Sequence, residues 1–208
     1  MLLSKKLPII IILIVLIFYS CSEKKSDEEL LKLKENFNKP SFVLSSAKSL
    51  LGENVKFAFK GKFDQDTVIE VIAGTEVTNK AEWGIDFIFL KLKNEQLTKL
   101  WDTGLLQGSF NNSLCNKIKF PSFDHELIYY NSKDYFLGSS GGEIFSYIVN
   151  FQNSKIYYAH LIIEERKPVS LYIAPNIDVP EIQNFFISIF KKDYPDLKLI
   201  TQDIQLSY

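Results

Sequence analysis

Hydrophobic and polar positions along the chain change period several times, and each change predicts a different element. Residues 7–19, LPIIIILIVLIFY, carry no charge at all. That run is shorter than the roughly 20 residues a membrane-spanning helix needs and has the length of a signal-peptide core. The next segment, residues 22–39, is highly charged, and Leu30, Leu31, Leu33 and Phe37 fall at loosely helical intervals. It predicts a flexible tether containing a short helix. After Pro40, the positions Val43, Leu44, Ala47, Leu50 and Leu51 trace one helical face that stops at Gly52, a suitable C-terminal cap.

From Val55 the period becomes two. VKFAFKG places Val55, Phe57 and Phe59 on one face, and TVIEVIAG follows an acidic turn at Asp64 and Asp66. WGIDFIFLKLKN is apolar on both parities, with Ile85, Phe87 and Phe89 against Ile88, Leu90 and Leu92, so this strand is either covered on both faces or bulged. Residues 104–123 are looser and rich in Asn, Ser, Gly and Pro. Residues 126–165 then read as successive strands with short connections, which implies antiparallel pairing. Phe145, Tyr147, Val149 and Phe151 share one parity, as do Tyr157, Ala159, Leu161 and Ile163 across the next turn, and VSLYIAPN adds another strand. In DVPEIQNFFISIFKKDYP, Pro180 suits a first helical turn and Ile182, Phe185, Phe186, Ile189 and Phe190 form a stripe that must lie on a sheet. LKLITQDIQL predicts a last strand. The fold class expected is α+β: an antiparallel, twisted or partly closed sheet of about seven to ten strands, with the C-terminal amphipathic helix packed on it.

Composition narrows the class. Removing 20 of the 208 residues, with Lys5 and Lys6, leaves 188 residues carrying 22 basic and 25 acidic side chains. A nearly balanced charge gives no electrostatic reason to expect nucleic acid as a partner. With Cys21 set aside, Cys115 is the only other cysteine. No disulfide then forms, and the apolar neighbours Leu114 and Ile118 favour a buried, inert thiol over a reactive one.

Cys21 itself ends the uncharged run. Lys5 and Lys6 precede that run, and Ile17, Phe18, Tyr19, Ser20 and Cys21 close it. The segment resembles a bacterial lipoprotein signal peptide, although Phe18 and Tyr19 are bulkier than the usual residues of that motif. The resemblance implies that Cys21 receives a diacylglyceryl group on sulfur, becomes the mature N-terminus and is acylated there, so that membrane lipid is a partner through Cys21. Two or more acyl chains hold a protein stably on a membrane, one only marginally. In such families Asp after the cysteine retains the protein at the inner membrane; here Ser22 follows, which favours the outer membrane. The competing reading is a plain N-terminal anchor helix. Asp27, Glu28 and Glu29 either resemble an acidic surface-export signal or form a solvated spacer. Three parts are expected: a signal peptide over 1–20, the lipidated cysteine and charged tether over 21–40, and one globular domain over 41–208.

Candidate chemistry is sparse. GKFDQDTVIEVIAG, residues 61–74, is similar to the Phe-Asp-x-Asp turn and Glu-containing strand of calcium-binding propeller repeats, but the glycines that let those turns wrap a metal are missing after Asp64. Asp64, Asp66 and Glu70 are weak metal candidates, since calcium wants six to eight oxygens; the alternative is a solvated turn. GSSGG, residues 138–142, leads into a strand instead of a helix and so lacks a phosphate cradle. His125 has Asp124 and Glu126 beside it, His160 lies in an apolar strand, and no helical His-x-x-x-His spacing supports zinc. No Gly-x-Ser-x-Gly elbow is present. The expected role is a membrane-anchored envelope lipoprotein that binds a partner or supports an assembly, with an envelope protein as partner and no cofactor. Two alternatives stand beside it: an envelope hydrolase or metal-dependent enzyme using Asp64, Asp66, His125 or His160, and a curved sheet holding a small apolar ligand. Trp83, Tyr129, Tyr130 and Tyr135 are candidates for a contact patch.

Overall fold

The computed structural model describes residues 27–66, 68–78, 83–108, 110, 114–134, 141–175 and 177–200. Cys21, Tyr135, residues 138–140 of the GSSGG stretch and residues 201–208 lie outside the described residues. The chain divides after Glu35. Before that boundary runs most of helix α1 (Asp27–Asn36), braced by an exposed Glu28–Lys32 pair one helical turn apart.

The second unit begins with helix α2 (Pro40–Leu51), which has Pro40 in its first turn and buries Val43 and Ala47. It ends at Gly52, whose φ of 94° favours glycine and whose N–H donates to the Lys48 carbonyl. The strands fall into two sheets. In the first, β1 (Val55–Gly61), β2 (Glu70–Thr78), β3 (Trp83–Lys93) and β4 (Gln96–Asp102) pair antiparallel in that order, and the short β5 (Leu106–Gln107) also pairs with β3. In the second, the spatial order runs from β6 (Cys115–Ile118) through β7 (Leu127–Asp134), β8 (Gly142–Asn150), β9 (Lys155–Ile163) and β10 (Ser170–Ile173) to β11 (Lys198–Ile200). Neighbours there are antiparallel except β10 and β11, which are parallel. A parallel pair needs a crossover, and helix α3 (Pro180–Asp193) supplies it.

The sheets stack face to face. Phe57, Ile72, Ile85, Phe87 and Phe89 from the first meet Ile128, Tyr130, Tyr147, Val149 and Phe151 from the second in one core. Gly74 leaves the space that the Phe57 ring fills; a Cβ there would clash with it. The other face of the second sheet, including Ile144, Ile148, Ala159, Leu161 and Leu171, packs against Ile182, Phe186 and Phe190 of α3. Each fully buried Leu, Ile or Phe among them contributes about 1.5–3 kcal/mol.

The α+β class and the helix-covered antiparallel sheet are therefore as the patterning predicts, whereas closure is not: two open sheets replace one partly closed sheet. Apolar residues on both parities of β2, β3 and β8 allow two-sided burial by stacking, so no single sheet has to curl around its own core. On β3 both expected outcomes occur together. Ile88 and Leu90 are buried as well as Phe87 and Phe89, and the register with β4 shifts between Phe89 and Leu90.

Candidate functional site

At one end of the sandwich the inward-facing rows of β2 and β3 finish in charged residues. Glu70 and Lys91 stand opposite each other in the β2–β3 register, on the parity of Ile72 and Phe89, and both are buried. The chain leaving β1 turns Phe63 into the core against Phe151, at 6.0 Å, then crosses the end of the sheets. The Asp66 N–H donates to Asp64 Oδ1 and the Val68 N–H to Asp66 Oδ1, each at 2.9 Å, which makes two successive Asx turns. Those turns leave Oδ2 of both aspartates for the Lys91 ammonium, which donates to each. Glu70 Oε1 lies 3.4 Å from the same ammonium, while its Oε2 accepts the N–H groups of Phe63 and Asp64.

The three carboxylates titrate apart. Burial, with a hydrogen shared with Asp64, pushes Glu70 up to about 7 against the pull of two backbone N–H donors. Burial alone would raise Asp64 too, but the bonds from Glu70 and Lys91 outweigh it and hold Asp64 down to about 2. Asp66 is lowered chiefly by Lys91. Lys91 stays firmly charged, because its bonds to Asp64 and Asp66 outweigh the cost of burial. Oxygens of Asp64, Asp66 and Glu70 come within 4.8 Å of one another, the spacing of a metal cluster. The ammonium occupies the middle of that cluster, and the set falls short of the oxygens calcium requires. A carboxyl titrating near 7 suits general acid chemistry, but Glu70 is only 1% exposed and bonds inward. The group fastens Phe63, Asp64 and Asp66, just after β1, to the ends of β2 and β3.

Residues from the second sheet join this end. Gln65 donates to Asp124 Oδ2 at 3.1 Å, Asp124 Oδ1 sits 3.0 Å from His125 Nδ1, and His125 Nε2 is 2.9 Å from Asn150 Oδ1, which also accepts the Gln152 N–H. His125 is buried. The Glu126 N–H donates to the Lys62 carbonyl at 2.6 Å, and the Lys62 N–H to Glu126 Oε2 at 2.8 Å, stitching one sheet to the other. Asp64, Asp66, Glu70 and His125 thus gather at one end despite their separation in sequence.

His160 does not join them. It pairs with Phe145, five residues along β8 from Asn150 and so about 17 Å away. There Nε2 bonds Glu143 at 3.0 Å and the ring stacks on Phe145 at 4.5 Å. Burial lowers its pKa in spite of Glu143. Of the proposed contact aromatics, Trp83 is half exposed, Tyr129 packs on Phe185 and Tyr130 is buried. Cys115 is buried, and burial pushes its thiol well up, so it is inert at neutral pH. Lys91, Gln65 and Asn150 escaped sequence reasoning. Lys91 had a usable signal, since it shares the inward parity of Phe87 and Phe89.

Beside the polar end, between the start of α2 and the end of β1, lies an open groove of about 400 Å³. Its lining includes Phe37, Val43 and Phe59, with Lys60, Lys62 and Glu126 at the polar side. The apolar-ligand reading requires a cavity inside the curved sheet; this groove lies instead at a sheet edge. Among the described residues no helix is long and apolar enough to cross a membrane. Comparison with protein-family models, curated proteins and solved structures finds no match.

Proposed function

We propose that this chain is a lipid-anchored lipoprotein of the cell envelope, held at the membrane through Cys21, with a non-catalytic role in binding a partner or supporting an assembly. Ser22 after the cysteine favours the outer membrane. The observation that carries the non-catalytic part is the commitment of the candidate reactive groups to internal partners. Asp64, Asp66 and Glu70 surround Lys91, His125 lies between Asp124 and Asn150, and His160 bonds Glu143. An active site needs a base, acid or nucleophile turned toward a substrate. The gathering of three carboxylates and His125 at one end is what favours the rival reading of an envelope hydrolase or metal-dependent enzyme, but Glu70 and His125 are buried and bonded inward.

The test of the anchor is the mass of the mature N-terminal peptide from membrane-fractionated cells, for wild type and Cys21→Ser. The reading expects an acylated cysteine at residue 21 that is lost in the mutant. An intact, unlipidated 1–20 segment would overturn it in favour of an ordinary anchor helix.

A further inference from the structure

β1 is the edge strand of the first sheet, and its unpaired side faces the groove. The Lys60 carbonyl accepts Lys117 Nζ at 3.1 Å, and both main-chain groups of Lys62 are used by Glu126, so these residues turn away from β2. In an antiparallel strand, alternate residues point their N–H and C=O groups to the same side. Ala58 therefore shares that direction with Lys60 and Lys62, and all three line the groove. Lys117 and Glu126 stand in for a neighbouring strand at one end of β1. Beyond them, the Ala58 N–H and C=O and the Lys60 N–H lie on the side of β1 that faces the groove, beside Phe37, Pro40 and Val43.

Charge selects the occupant. Lys60 Nζ bonds only the neutral Asn38 amide, at 2.6 Å, and among the described residues neither Lys60 nor Lys62 has a carboxylate within ion-pair distance. Glu126, the acid on the lining, is already paired with Lys117 at 3.0 Å. A second copy is disfavoured, because antiparallel self-pairing centred on Ala58 sets Lys56 opposite Lys60. An acyl chain would cover the edge N–H and C=O groups without pairing them. We propose that the groove takes an extended acidic peptide segment, which adds a strand beside β1 and sets its carboxylates against Lys60 and Lys62. This rests on the binding role proposed above and names the class of partner.

The test uses the full chain in detergent micelles and the fluorescein-labelled hexapeptide Thr-Glu-Val-Glu-Val-Thr, with one counterpart carrying Lys for Glu and one carrying Pro for the first Val. The expected result is saturable binding of the acidic peptide, slowed amide exchange at Ala58 and Lys60, and at least tenfold weaker binding by the Lys60→Glu/Lys62→Glu variant and by the proline peptide. A Lys60→Gln/Lys62→Gln variant with an unchanged melting temperature should show an intermediate loss. No saturation into the millimolar range, unaltered binding by the charge-reversed variant, or exchange unchanged at Ala58 and Lys60 would each overturn the proposal. Equal binding of the lysine peptide would also overturn it, leaving Lys60 and Lys62 as guards against edge aggregation. Running the titration on Cys21→Ser as well separates failure here from failure of the lipid anchor.

Discussion

The two ends of the sheet sandwich each bury a basic side chain against acid, and they do so with opposite electrostatic results. At the Glu70 end, three carboxylates share one ammonium, and burial, with a hydrogen shared with Asp64, makes Glu70 hold its proton up to about 7. At the Glu143 end, one carboxylate faces one imidazole, and burial against Phe145 makes His160 give up its proton more readily than usual. Folding therefore favours proton uptake at one end and proton loss at the other. Burial disfavours the charged form at both ends, so the same cause raises a carboxyl and lowers an imidazole.

The most damaging way to break this comparison is to remove the ammonium. Lys91→Met leaves Asp64, Asp66 and Glu70 facing one another, and stripping one partner from a buried ion pair costs about 3–5 kcal/mol. Asp66 is 44% exposed, so solvent screens part of the repulsion and the loss should fall near the lower figure. Urea denaturation should show a lower midpoint at unchanged slope, with Lys91→Arg losing much less. Because the ammonium already fills the cluster, millimolar calcium should leave the wild-type melting temperature where it is; a clear rise would mean that calcium displaces Lys91.

The second test reads the sign at the same end. Glu70 titrates near 7 when folded against an ordinary value of 4.5, so between those values the folded state binds more protons than the unfolded one. Its contribution is fully present below 4.5 and is lost as pH rises through 7, by up to about 3 kcal/mol. Asp86, raised to about 6 by burial and by Asp102, adds a slope of the same sign. Glu70→Gln keeps an acceptor for the Phe63 and Asp64 N–H groups while removing the titration. Stability measured from pH 4.5 to 7 should decline less steeply in the variant, with the Asp86 slope remaining. An unchanged slope would place the shared proton elsewhere.

How far this arrangement is legible in the sequence depends on how local each part is. Helices α2 and α3 follow from spacing and from Pro40, Gly52 and Pro180, since helical periodicity is written within a few turns. The β8–β9 hairpin is similarly local. The division into two sheets is not, because residues such as Ile88 and Phe89 look the same whether a strand is covered by a helix, a second sheet or its own curled continuation. The turn at Asp64 and Asp66 is readable, but its partner Lys91 lies 27 residues away across the sheet and His125 lies farther still. Parity offered one clue: a lysine in an inward row must find acid. Which acid depends on β2–β3 register, and one sequence does not fix register at that distance.

The mildest test lies at the other end. His160→Phe keeps a flat ring for stacking on Phe145 and loses only the bond from Nε2 to Glu143, a carboxylate that retains 25% exposure and so regains water. The expected cost at neutral pH is at most about 1 kcal/mol, in the range of a single hydrogen bond whose partner can be resolvated. The sign of the pH effect is the sharper readout. His160 is depressed below its ordinary 6.5 in the folded state, so its stabilising contribution is present above 6.5 and fades as pH falls below it, opposite to Glu70 over the overlapping range. In wild type the two slopes partly cancel as pH falls below 6.5. Removing His160 should uncover the Glu70 slope and make the variant gain stability relative to wild type as pH falls, while Glu70→Gln should move the balance the other way. If both variants shift stability in the same direction over that range, the two ends do not carry opposite proton linkage.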